Sequence, residues 1–100
     1  MERRNDIPDL LAMYIRNTRE IYNITSRIQN CIIKKINKGV QPQLEYLAKC
    51  SAMKTIIREA AKLLYKYDGI IPTRQEKQEA AREHAKYILD SVQYSIQKHQ

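Results

Sequence analysis

Apolar residues recur along this chain at steps of three and four, and two short turn-forming clusters interrupt them. In the first segment Ile7, Leu10, Tyr14, Ile21, Ile24, Ile28, Cys31 and Ile32 follow helical spacing, with one polar interruption at Asn17–Thr18. Asp6 stands where an N-cap belongs, Pro8 suits a first turn, and Asp9 adds favourable charge there. Lys34, Lys35 and Lys38 fill the last turn before Gly39, a helix-stop residue. The spacing predicts one helix over about 7–38, about 45 Å long at 1.5 Å per residue.

Pro42 opens the next segment. Tyr46, Cys50, Met53, Ile57, Ala60, Leu64 and Tyr67 follow in alternating steps of four and three, a heptad seam that ends at Asp68-Gly69. This predicts a second helix over about 42–67. The third begins at Thr73-Arg74-Gln75-Glu76, a capping box directly after Pro72, and Ala81, Ala85, Ile88, Val92 and Ile96 carry its apolar face to about residue 98. No segment alternates as a strand does. Short connections make sequential helices antiparallel. The expected fold is all-α: one helical domain over 1–100, an up-down-up bundle of three long helices.

The first helix carries more apolar surface than two neighbours easily cover. Met13, Ile24 and Cys31 lie on one flank, and Ile15, Tyr22 and Ile33 on the other, an arc of roughly 200° against the 100° or so of a one-sided helix. Either the helix is wedged between the other two, or one flank is buried in an oligomer. In the second case Ile15, Tyr22 and Ile33 are the candidate interface.

Composition narrows the classes. An apolar fraction of 43% over 100 residues supports one modest core. Aromatic residues are seven Tyr, with no Phe and no Trp, so each buried ring must also satisfy a hydroxyl. No apolar run reaches the roughly 18 residues of a membrane span. The N-terminal stretch lacks the apolar core of a secretory signal, so an uncleaved, cytoplasmic protein is expected.

Charge adds the one functional hint. The formal net charge is +7, and the segment from Ile21 to Arg58 alone holds +6, with Glu45 as its single acid. Arg16, Arg27, Lys34 and Lys38 fall on one side of the first helix; Lys54, Arg58, Lys62 and Lys66 succeed one another every four residues on the second, with Tyr65 alongside. A row of like charges at that spacing mildly destabilises an isolated helix. It is easier to understand with an anion against it: nucleic-acid phosphate, an acidic protein surface or membrane headgroups. A merely solvated face is the bland alternative. No helix-turn-helix, zinc-finger or basic-zipper pattern supports base-specific readout.

Catalytic constellations are absent from the pattern. There is no HExxH, GxSxG or glycine-rich phosphate loop, and no Glu-x-x-His pair for a di-metal bundle. His84 borders the third helix's apolar face and reads as a boundary residue, and His99 lies at the chain end. Cys31 and Cys50 are equidistant from the first turn, which in a straight antiparallel hairpin sets them at one height as small, free, buried core residues. No metal, cofactor or small-molecule substrate is expected. The sequence therefore points to a small non-enzymatic helical adaptor or assembly protein that acts through protein–protein contacts, as an oligomer or with another protein. The alternatives are non-specific binding of DNA or RNA through phosphates, and a helical inhibitor of a nucleic-acid enzyme. The candidate anion-binding residues are Arg27, Lys34, Lys38, Lys54, Arg58, Lys62, Lys66 and Tyr65.

Overall fold

The computed structural model describes residues 6–98. Five helices succeed one another with no strand among the described residues: α1 (Ile7–Asn17), α2 (Arg19–Asn37), α3 (Leu44–Lys49), α4 (Ser51–Asp68) and α5 (Arg74–Lys98). The all-α expectation holds, and α5 begins where its capping box predicted. Thr73 N–H donates to Glu76 Oε1 at 2.7 Å, and Glu76 N–H donates to Thr73 Oγ1 at 3.1 Å. The two glycine stops also stand. Gly39 and Gly69 take φ values of +87° and +67°, a conformation that costs any side-chain-bearing residue energy and lets each chain leave its helix.

The other two expected rods are each broken, and the three-rod picture is corrected to five helices. The first break falls at Thr18, whose backbone is extended (φ −113°, ψ 119°). Its hydroxyl donates to the Tyr14 carbonyl oxygen at 2.6 Å, offering the backbone an alternative to the helix ladder. The second falls at Cys50 (φ −69°, ψ 161°), between a six-residue helix and α4.

Both breaks leave the same mark in the core. The buried Ile, Leu, Met and Ala residues of the first rod are Ile7, Leu11, Ile15, Ile21, Ile28 and Ile32; those of the second are Leu47, Met53, Ile56, Ile57, Ala60 and Leu64. Each series contains one step of six, Ile15 to Ile21 and Leu47 to Met53. At 100° per residue such a step lies about 120° from a full turn, so the chain must re-aim its apolar face there. Two differently phased faces, read as one helix, produced the wide apolar arc. Ile15 accordingly sits inside the core with 2% of its surface exposed, and the candidate interface loses it. Ile33 is half-buried against the core, and Tyr22 is exposed.

The second break folds the chain back. In a straight rod Glu45 would stand roughly 20 Å beyond Arg82 along the bundle axis. Instead the two side chains form an ion pair, and α3 packs on α5. Meanwhile the backbones of α2 and α3 do not come together, although Lys35 of α2 reaches the Tyr46 ring of α3, so the straight antiparallel hairpin expected around Cys31 and Cys50 does not form. Cys31 is exposed and Cys50 half-buried at the break; the expected pair of buried core thiols is corrected. Tyr46 and Tyr67, the ends of the expected seam, are both exposed. No described helix is long and apolar enough to cross a membrane.

Candidate partner-binding groove

The chain turns back at residues 69–73, so that α5 returns alongside α4, and α3 packs on both helices at the far end. Between them runs an open groove of about 1070 Å³. Its floor is apolar: Met53, Ile57 and Ala61 from α4, Ala81 from α5, Ala48 from α3, with Ile71 and Pro72 closing the turn end. Met53, Ile57 and Ala81 are buried beneath the floor, and Ala48, Ala61 and Ile71 present its surface.

The rim is basic on both sides. From α4 come Lys54, Arg58 and Lys62, with Tyr65 beside them; α3 adds Lys49; α5 contributes Arg74, Lys77 and Arg82. Seven bases thus face one acid, Glu45. Arg82 is neutralised by that acid, and Lys62 pairs with Glu59 at 3.3 Å. Among the described residues no ion pair is recorded for Lys49, Lys54, Arg58, Arg74 or Lys77. Like charges held on two facing helices raise the local potential and concentrate anions.

The candidate anion-binding residues divide. Lys54, Arg58, Lys62 and Tyr65 line the groove, whereas Lys66 does not; its ammonium stands 5.4 Å from the Tyr67 ring centre instead. Arg27 and Lys34 on α2, and Lys38 just past its end, are exposed and outside the groove. Lys35, beside them, lies 5.7 Å from the Tyr46 ring centre. Arg16, drawn onto the same stripe when the first rod was read as continuous, is carried away by the Thr18 break to the opposite flank of α5. The α5 bases Arg74, Lys77 and Arg82 escaped the sequence reading because Glu76, Glu79 and Glu83 are interleaved with them. The signal that finds them is phase: Arg74, Lys77 and Ala81 share one flank of a helix, which only a known neighbour makes meaningful.

The opposite flank of α5 holds a second, smaller cleft of about 290 Å³, lined by Arg16, His84, Lys86, Tyr87 and the acids Glu83 and Asp90. His84 is buried, stacks on Tyr87 with 5.7 Å between ring centres, and shares a 2.9 Å hydrogen bond between its Nε2 and Thr25 Oγ1. Burial chiefly, and the Arg16 charge secondarily, push its pKa down to about 4. Arg16 and Thr25, nine residues apart, would be about 13 Å apart along one continuous helix; the break brings both to one histidine. His99 lies outside the described residues. Nearer the turn, the Tyr14 hydroxyl donates to Asp68 Oδ2 at 2.6 Å, and that bond, foremost, pushes the Tyr14 pKa up to about 12. No three His, Cys, Asp or Glu residues cluster as a metal site among the described residues.

Compared with known proteins, the chain matches no family model, no curated protein and no solved structure.

Proposed function

We propose that this protein is a small, non-enzymatic helical adaptor whose working surface is the α3–α4–α5 groove and whose partner is another protein. One observation carries the reading: an apolar floor lies between two basic rims that hold seven bases and the single acid Glu45, with Lys49, Lys54, Arg58, Arg74 and Lys77 in no ion pair among the described residues. A solvated charged face needs no concave apolar floor. Enclosed apolar surface with charged edges is the anatomy of a recognition site.

Self-association through this groove is disfavoured, because two copies of a chain carrying +7 would bring like-charged surfaces together. The first-rod flank also gives little support to an oligomer, since Ile15 is in the core.

A second reading is favoured by one residue. Tyr65 is exposed beside Lys54, Arg58 and Lys62, the juxtaposition of ring and bases on which single-stranded nucleic acid stacks and neutralises. Site-specific photo-crosslinking in the source cells separates the two. With p-benzoylphenylalanine at Arg58 or Lys77, the adaptor reading expects adducts that a protease degrades and a nuclease does not, and none from Tyr22. Nuclease-sensitive adducts would move the function to nucleic acid. Adducts from Tyr22 alone would remove the groove from it.

A further inference from the structure

The groove occupies a position that a helix would fill. α1 packs against both α4 and α5, and α2 does so too, so the other side of the α4–α5 pair is the one left open. On α5 the two sides are distinct: Glu83, His84, Tyr87 and Asp90 face the cleft shared with α1, while Arg74, Lys77, Gln78 and Ala81 face the groove. Along α4 the groove runs from Met53 to Tyr65, about 18 Å or three helical turns. A helix laid here would sink its apolar side and keep its polar side at the rims.

Resting on the adaptor reading, we infer that the groove takes an acidic amphipathic helix of a partner protein. Its apolar residues, at spacings of three and four, would meet Ala48, Ala61 and Ile71, with buried Ile57 beneath them. Its flanking carboxylates would meet Lys54 and Arg58 on one rim and Arg74 and Lys77 on the other. This is the helix-in-groove mode, with affinity from the apolar face and orientation from the charges. Charge selects this occupant over a basic or neutral helix. The partner's acids would give those bases the ion pairs that they lack within the chain. Ile71 points the same way: a large apolar residue at the mouth of the groove, it is 77% exposed without a partner.

The test uses the whole chain and a labelled designed peptide of about 15 residues, with Leu at helical spacing and Glu elsewhere. Binding is read by fluorescence anisotropy. A peptide of the same composition with its Leu positions scrambled, and a single-stranded DNA oligonucleotide, serve as comparators. The expectation is that the periodic acidic peptide binds roughly tenfold or more tightly than the scrambled one. Binding should weaken by a similar factor in Ile71→Glu, which alters only an exposed residue, and in the Arg58→Glu, Lys77→Glu pair. Equal binding of both peptides would overturn the inference, since charge alone would then suffice. Stronger binding of DNA, competing with the peptide, would make the groove a nucleic-acid site and overturn it too. If neither peptide binds while protein adducts still form from Arg58 and Lys77, the helical occupant is wrong and the adaptor reading stands. If both fail, the groove is not a protein-binding surface.

Discussion

The two flanks of α5 solve their electrostatics in opposite ways. Toward α1 and α2, the bases Arg16 and Lys86 stand with the acids Glu83 and Asp90, and the buried ring of His84 is hydrogen-bonded to Thr25. Toward α3 and α4, seven bases stand with one acid around an apolar floor. The first flank is complete within the chain, and its polar groups serve to fix where α1 and α2 sit. The second leaves Lys49, Lys54, Arg58, Arg74 and Lys77 without an ion pair among the described residues, and on the proposed reading an anionic partner supplies it. The difference shows how one helix can carry a charge-balanced flank and a basic flank side by side, with the excess bases held at the surface.

Four perturbations break or sharpen that contrast. Ile88, fully buried where α5 meets the core, should be the most costly site to truncate. Ile88→Ala is expected to lower stability by about 2–5 kcal/mol in a denaturant titration. Acid comes next. His84 is held near pKa 4 in the fold and returns to 6.5 on unfolding, so above pH 6.5 neither state is protonated and the group contributes nothing. Below pH 6.5 the unfolded chain binds a proton that the fold refuses. Stability therefore falls as pH drops from 6.5 to 4, by at most roughly 3 kcal/mol, and this contribution is constant below that. Thermal melts across that range read it directly, and His84→Gln should flatten the slope. Third, Thr25→Val leaves His84 Nε2 without its partner and should cost about 1–3 kcal/mol. Smallest is the groove itself. Arg58→Glu with Lys77→Glu should change stability by no more than about 0.5 kcal/mol. A large loss there would mean that the groove bases maintain the fold.

What could be read in the sequence followed from local chemistry. The Thr73–Glu76 capping box, the Gly39 and Gly69 stops and the apolar face from Ala81 to Val92 are each set within a few residues, and each is where it was expected. The breaks were harder. Asn17–Thr18 stood out as a polar interruption, but whether such a pair ends a helix depends on what the flanking faces must cover. Cys50 carried no Gly or Pro signal, and the smooth Tyr46–Cys50–Met53 spacing ran straight over it. The buried choice of Leu47 over Tyr46 is a tertiary one, made by α5. Half the groove was legible for the same reason: Lys54, Arg58 and Lys62 form a row on their own helix. Arg74 and Lys77 become part of a site only when α4 is beside them.

An amide chemical-shift map of the protein, with and without the acidic amphipathic peptide, tests the contrast between the flanks most directly. The account predicts shifts concentrated at Ala48, Ile57, Ala61, Ile71, Lys77 and Ala81, with Ala12, Thr25 and Tyr87 unmoved. Shifts gathered instead along α2 and just past its end, at Arg27, Lys34 and Lys38, would contradict it and move the binding surface to the other basic row.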